Sequence, residues 1–138
     1  GIVYANANEE YLNAHEHFRN KRNKECLNDC LKAFETVMKI ICTINQYNFS
    51  EGDSASRLIN VLVTNNFFPE YNSTHLNAIR QVLESGVPTL RNKNGGHGQG
   101  ANKIIVDDEM ASYMLNITGS VIKFLVDVQK RRLKNKAI

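Results

Sequence analysis

Apolar residues recur at intervals of three and four along the stretch from about Lys24 to Ile44. The recurring positions are Leu27, Cys30, Leu31, Phe34, Val37, Met38, Ile41 and Ile44. A helix of 3.6 residues per turn gathers such positions on one face, so the stretch predicts a long amphipathic helix with a buried apolar side. The charged residues fall largely on the opposite side, where Glu35 and Lys39 have the favourable i,i+4 order of a surface pair.

A second stripe with the same spacing lies near the end of the chain and predicts another long helix. Its members are Met110, Tyr113, Met114, Ile117, Val121, Phe124, Leu125 and Val128. Val106-Asp107-Asp108 precedes this stripe, and acidic residues in a first turn are favourable against the helix dipole. No stretch alternates polar and apolar residues over a useful length, so no strand is predicted.

Shorter helical patterns complete the prediction. One runs from about Tyr4 to Phe18, with Leu12 and Phe18 as its apolar anchors. Another follows a cap at Asp53 or Ser54. Its apolar residues are Ala55, Leu58, Ile59 and Leu62.

A further helix is predicted from Pro69 to about Glu84, since proline suits a first helical turn. Its inward-facing residues are Leu76, Ile79 and Leu83. We therefore expect one domain over residues 1–138. It should be an all-α bundle of four to five helices, with two long helices flanking the glycine-rich segment between them.

The composition is that of a soluble globular protein, with 42% hydrophobic and 22% charged residues. No apolar run approaches the roughly 20 residues needed to span a bilayer, and the first residues lack the features of a signal peptide, so we expect a cytoplasmic location without membrane contact. The cysteines Cys26, Cys30 and Cys42 fall mostly on the apolar side of the first long helix and predict buried thiols. Because the first residue is glycine, we expect the domain to come from a longer chain.

The segment from Leu90 to Gly100 places an arginine, a lysine, a histidine and two asparagines among four glycines. Each glycine in a helix interior costs roughly 1 kcal/mol relative to alanine, and the segment offers a core strand no side chain but Leu90. The sequence therefore predicts a loop with concentrated polar chemistry, which is where functional residues often lie.

Arginine and histidine supply what metal-free RNA cleavage needs. A guanidinium binds phosphate oxygens through its planar fork, and a histidine accepts and returns a proton near neutral pH. A base deprotonates the ribose 2′-hydroxyl, which attacks the adjacent phosphate, while a cation stabilises the transition state. We interpret Arg91 and His97 as such a pair, acting without metal or cofactor. The residues leave one alternative open, a glycine-rich turn whose His97 merely bonds to backbone.

Arg91 and Asn92, followed by four residues and His97, are similar to the Arg-polar-spacer-His signature of the HEPN superfamily. These are small α-helical domains, many of them metal-independent ribonucleases of toxin–antitoxin, abortive-infection and CRISPR-associated systems. The stretch 86–100 resembles in particular the C-terminal domain of bacterial abortive-infection proteins. His15-Glu-His-Phe-Arg19 and residues 25–39 resemble the same group, in the same order.

The resemblance implies a role for each matching position. Arg91 would bind the scissile phosphate, His97 would act as base or acid, and Asn92 would orient the pair. The remaining polar and glycine positions would bind substrate. They are Lys93, Asn94, Gly95, Gly96 and Gly98.

The resemblance also implies partners. Active members commonly bring the motifs of two protomers together, so we expect a homodimer walled by the two long helices, with RNA as the ligand. An antitoxin or a fused effector or sensor domain is a further possible partner. Many toxins paired with nucleotidyltransferase antitoxins carry a tyrosine two places after the histidine, where this chain has Gln99. Regulation by modification of that tyrosine is therefore not expected.

Other functions compete with RNA cleavage. One is a non-catalytic module that binds RNA or nucleotide through the loop, and another is a dimerisation domain of a larger defence protein. A zinc site is disfavoured, because His-x-His on a helix points the rings apart and Cys-x3-Cys on an apolar face is typical of a core. The residues that such a site would use are His15, His17, Cys26 and Cys30.

Overall fold

The computed structural model describes residues 2–84 and 105–136 of the chain, and these residues form an all-helical bundle without a strand. A short 3-10 turn, Ile2–Tyr4, leads into α1. The five α-helices of the described ranges are α1 (Ala5–Arg19), α2 (Asn23–Ile44), α3 (Ala55–Thr64), α4 (Tyr71–Glu84) and α5 (Asp108–Lys136). The predicted all-α class is confirmed, and α2 and α5 are the two longest of these helices.

Helix α2 is the centre of the bundle, because it packs against each of the other four helices. Its predicted apolar face is buried from Cys26 to Cys42 except for the partly buried Leu31, and the prediction of three buried cysteines is confirmed. Ile44 at the end of the stripe is an exception at 37% exposed, since it lies in the last turn of α2, where the apolar face leaves the bundle.

Helices α2 and α5 run parallel through the core. At one end the Asn23 amide nitrogen donates to the carbonyl of Val106, and at the other the Asn45 amide nitrogen donates to Gln129 Oε1 at 2.6 Å. The largest side chains that α5 buries are Met114 and Leu125. A hydrogen bond from an asparagine side chain therefore joins the two helices at each end of their shared interface.

Helices α1 and α2 pack antiparallel and are joined by a tight turn, in which Lys21 adopts a left-handed backbone with φ 60°. The inner face of α1 repeats at positions four and three apart, where small and aromatic residues alternate. They are Tyr4, Ala7, Tyr11, Ala14 and Phe18. The prediction of Leu12 as an anchor was wrong, because Leu12 lies off this stripe and is 58% exposed.

Helices α3 and α4 cover the side of α2 away from α1. Ser54 caps α3 by accepting from the backbone N–H of Arg57, as predicted for one of the two candidate caps. After α3, Asn66 takes a left-handed φ of 57° and the N–H of Phe67 bonds back to the carbonyl of Leu62, which directs the buried Phe67 ring inward. Such a reversal is a common helix C-terminal geometry.

The first turns of α5 differ from the prediction. Met110 is 46% exposed and Tyr113 is 52% exposed, although both belong to the apolar stripe. Helix α4 touches α5 farther along, beside Ile117 and Val121, so within residues 2–84 and 105–136 nothing covers this outer side of the first turns. None of the described helices combines the length and hydropathy that crossing a bilayer requires.

Candidate functional site

The predicted site residues lie outside the residues that the structure describes. They are Arg91, Asn92, Lys93, Asn94, Gly95, Gly96, His97 and Gly98. The structure does describe the two places where the chain leaves and re-enters the described bundle, the end of α4 at Glu84 and the approach to α5 at Ile105. Each place carries a polar cluster.

The start of α5 is fastened to the turn between α1 and α2. The Asn23 amide nitrogen donates to the Val106 carbonyl at 2.9 Å and to Asp108 Oδ1 at 2.8 Å, and Lys21 Nζ donates to Asp108 Oδ2 at 3.0 Å. The hydrogen bonds from Asn23 and Lys21, together with the lysine charge, lower the pKa of the Asp108 carboxyl. The carboxylate therefore stays ionised and holds α5 at this turn.

His17 is oriented from both sides within the same turn region. Arg22 Nε donates to His17 Nδ1 at 2.8 Å, and His17 Nε2 lies 3.2 Å from Asp29 Oδ2. An Nδ1 that accepts from arginine leaves the ring proton on Nε2, where it can bond to the carboxylate. The exposed fractions of the two side chains, 29% for His17 and 16% for Asp29, keep the imidazole within reach of solvent.

This His17 arrangement was not predicted from the sequence. His17 and Asp29 are twelve residues apart on different helices, and only the return of α1 along α2 brings them together. The sequence signal that could have found it is the short connection between two helical patterns. A short connection makes the two helices an antiparallel pair, so residues near the turn on both helices lie close together. An imidazole oriented by a carboxylate has the arrangement of a proton-transfer group.

The end of α4 carries a second cluster. Arg80 pairs with Glu84 at 2.7 Å and also donates from Nε to the Asn77 side-chain oxygen at 3.0 Å. Both members of the pair are largely buried, at 17% and 28% exposed. The last turn of α4 is thereby held in a defined geometry up to the final residue that the structure describes there.

Glu35 of α2 lies near this second cluster. Burial raises the pKa of the Glu35 carboxyl, and the carboxylates of Glu84 and Glu10 raise it further, against a lowering by the Ala55 N–H and by Lys39. The predicted surface pair of Glu35 with Lys39 is not the main contact of either side chain. Glu35 accepts from the Ala55 N–H at 3.2 Å, whereas Lys39 donates to the Glu51 carbonyl at 2.6 Å. The first turn of α3 and the loop before it offer each group a closer partner.

The four residues considered for zinc are occupied by other contacts. His15 packs edge-on against Tyr11, with ring centroids 4.7 Å apart. The Cys26 and Cys30 thiols are buried, and interaction with the neighbouring Cys30 thiol, followed by burial, raises the pKa of Cys26. Across residues 2–84 and 105–136, no group of three or more histidine, cysteine or acidic residues is arranged to hold a metal ion.

Comparison with known protein families shows which family this chain belongs to. Residues 5–129 match the family of HEPN-like domains designated Abi_C. The chain belongs to this family. The match runs from the first residue of α1 to Gln129 in α5, so it includes both polar clusters and the positions of Arg91 and His97. Comparison with curated proteins and with solved structures gives no match.

Membership in the Abi_C family confirms the predicted HEPN-like bundle. It also places the domain among modules with a nucleotide- or RNA-related or abortive-infection role. In this HEPN-like domain the signature begins seven positions after the end of α4 at Glu84, and residue 97 stands eleven positions before Asp108, the first residue of α5. The end of α4 and the start of α5, on either side of the signature in the sequence, therefore each carry one of the polar clusters described above.

Proposed function

We propose that this HEPN-like domain is a metal-independent endoribonuclease of the toxin or abortive-infection type. The observation that carries the proposal is the presence of Arg91, Asn92 and His97 in signature order within the segment 5–129 that matches the family. Arginine and histidine can together bind a phosphate and transfer a proton without help from a metal ion.

In the proposed reaction His97 removes the proton from a ribose 2′-hydroxyl, whose oxygen attacks the adjacent phosphorus. The P–O bond to the 5′-oxygen of the next nucleotide breaks, and that oxygen takes up a proton. The products are a 2′,3′-cyclic phosphate and a 5′-hydroxyl. Arg91 stabilises the charge on the phosphoryl oxygens, Asn92 orients the pair, and Lys93 and Asn94 contact neighbouring phosphates. Gly95, Gly96 and Gly98 let backbone N–H groups approach the phosphate.

The proposed site is composite, with one signature from each protomer of a homodimer. A groove of about 490 Å³ between α4 and α5 supports this arrangement. None of its lining residues is a lysine, an arginine, an aspartate or a glutamate, and depletion of these residues is typical of the core of a protein interface. The lining residues include Ile79, Tyr113, Ile117 and Phe124. Because the apolar face of α2 packs against the other four helices of the described ranges, we propose α4 and α5 as the dimer walls in place of α2 and α5.

The test of activity is incubation of the purified domain with labelled RNA in EDTA, beside Arg91→Ala and His97→Ala. We expect cleavage by the unchanged protein and a loss of at least a hundredfold in each variant, since general acid–base catalysis contributes about 10²–10⁴-fold. Gln99→Ala, a change beside the signature, is the matched control and should retain activity. Cleavage that persists undiminished in both signature variants would overturn the proposal. RNA binding without turnover would instead indicate a binding module.

A further inference from the structure

The cations of this domain are distributed unevenly with respect to their carboxylate partners. Six of the nine lysines and arginines that the structure describes before Lys130 pair with a nearby acid, and the exceptions are Arg22, Lys24 and Lys32. The pairs are Arg19–Glu16, Lys21–Asp108, Lys39–Glu51, Arg57–Asp53, Arg80–Glu84 and Lys123–Asp127. The surface charge is therefore largely neutralised locally.

The last turns of α5 depart from this pattern. Lys130, Arg131, Lys134 and Lys136 are all exposed, and none of them forms an ion pair with a carboxylate in the described ranges. Asp127 is the last acidic residue of the sequence, and its carboxylate binds Lys123 at 2.7 Å. Lys130 lies close enough to contribute to the lowered pKa of Asp127, but the main cause is the Lys123 hydrogen bond. We call these four residues the basic end of α5.

Helix-dipole stabilisation does not account for the whole basic end. The dipole favours cations within the last turn of a helix, which covers Lys134 and Lys136. Lys130 and Arg131 lie one turn earlier, where the effect has fallen off. A surface that keeps four cations close together without an ion-pair partner in the described ranges is suited to a polyanion.

The basic end is held on a fixed support. The intervening Arg132 points back to the bundle, where Nη1 donates to the Asn66 carbonyl at 3.1 Å and the guanidinium carbon lies 5.5 Å from the centre of the Phe67 ring. Arg132 thereby fastens this part of α5 to the end of α3. Lys130 and Lys134 stand one helical turn apart on the outer side, so their charges are about 6 Å apart along the axis.

We propose that the basic end of α5 is a second RNA-binding surface that contacts the phosphate backbone of RNA. Asp108 and Lys130 are separated by 22 residues of one helix, which corresponds to about 33 Å. The inference rests on the proposed function only in taking RNA as the polyanion.

The test compares two triple variants of equal net charge in a His97→Ala background, which prevents cleavage during the measurement. One removes Lys130, Arg131 and Lys134 by glutamine substitution, and the other removes Lys24, Lys32 and Arg57 in the same way, which are exposed elsewhere and do not contact Asp127. Binding of a fluorescein-labelled single-stranded RNA of 20 nucleotides is followed by anisotropy from 50 to 300 mM salt. We expect the first variant to bind about tenfold more weakly at 0.1 M salt, with a salt slope reduced by about 2, because each single-strand phosphate contact contributes about 0.7.

The control variant should keep both the affinity and the slope of its parent. Equal losses in the two variants would show that net charge alone matters and would overturn the inference, as would equal retention. Binding of both triple variants to vesicles containing phosphatidylserine is measured in parallel. An effect of the first variant on vesicles, with RNA binding unchanged, would assign the surface to an anionic membrane and also overturn it. Failure of the proposed function is read separately, from cleavage that does not depend on Arg91 and His97.

Discussion

The hydroxyl oxygen of Tyr11 lies 2.5 Å from the position that a Cβ atom on Gly119 would occupy. The same hydroxyl donates to the carbonyl of Leu115 at 2.7 Å, one turn earlier on α5. Helix α1 therefore packs against α5 at a point where only glycine leaves room for the tyrosine. This contact connects the first and last helices of the described bundle, between which the family match extends.

We predict that Gly119→Ala lowers the free energy of unfolding by about 1–3 kcal/mol, as overpacking does, despite the better helix propensity of alanine. Chemical denaturation measures the change. Adding Tyr11→Phe removes the clashing oxygen, so the double variant should lose less than the sum of the two single losses. Gly52→Ala is the matched control, since an added Cβ there meets no atom within 4 Å and the change should stay within about 0.5 kcal/mol.

We predict that Arg132→Ala destabilises the domain by about 2 kcal/mol, because the charged hydrogen bond to the carbonyl of Asn66, just after α3, is lost. The stability of Arg132→Lys should fall between that of the unchanged protein and that of Arg132→Ala, since lysine keeps the charge but not the planar fork. The neighbouring Arg131→Ala is the control for the loss of a cation from α5, and its exposed side chain should matter by less than about 0.5 kcal/mol. Equal effects at both positions would contradict the fastening of α5 to α3.

We predict that Glu35→Gln stabilises the domain at pH 7. The pKa of Glu35 is raised by burial above its ordinary value of 4.5, so the folded state binds this proton more readily than the unfolded state. The carboxylate therefore costs stability above the folded pKa, and the cost disappears as the pH falls from the folded pKa to below 4.5. Glutamine keeps an oxygen for the Ala55 N–H.

Thermal unfolding of Glu35→Gln should accordingly show a Tm above that of the unchanged protein at pH 7 and a smaller difference at pH 4. Glu51→Gln, on a side chain that is 87% exposed, is the control and should change stability by less than about 0.5 kcal/mol at either pH. A difference for Glu35→Gln that grows on acidification would contradict the assigned direction of the pKa shift.

We predict that Tyr113→Glu weakens self-association, because it places a carboxylate in the groove between α4 and α5, whose lining has no lysine, arginine, aspartate or glutamate. Sedimentation equilibrium should show a dissociation constant at least tenfold higher than that of the unchanged domain, and a desolvated unpaired charge is large enough to cause this. Tyr71→Glu adds the same charge at a side chain that is 75% exposed at the start of α4. Identical dimers in both variants would exclude the groove as the dimer face.

The sequence predicted the helices well, because a buried helix face leaves a periodic signal. The predicted start of α2 at about Lys24 is within one residue of Asn23, and α4 ends at Glu84 as expected. The errors concern which apolar residues are buried. Leu12 was predicted, together with Phe18, as an apolar anchor of α1, but the packed face uses Ala7 and Ala14, whose small size allows close approach of the helices.

The polar clusters were less predictable than the helices. His17 and Asp29 meet through tertiary structure, and Glu35 found its partner at Ala55 rather than at the helical neighbour Lys39. Helical spacing states which residues share a face and not which element covers that face. The signature can be recognised from its residues and their order alone. Because its positions lie outside the described residues, the assignment of Arg91 and His97 remains a prediction from the sequence and the family.

The most direct test of the central claim is the chemistry of the ends that the purified domain leaves on RNA in EDTA. Attack by the 2′-hydroxyl leaves a 2′,3′-cyclic phosphate and a 5′-hydroxyl, and mass spectrometry of the fragments distinguishes these groups. We predict cyclic phosphate ends, lost together with cleavage in His97→Ala and in Arg91→Ala. Fragments with 3′-hydroxyl and 5′-phosphate ends would show that an external nucleophile attacks the phosphate and would contradict the proposed mechanism.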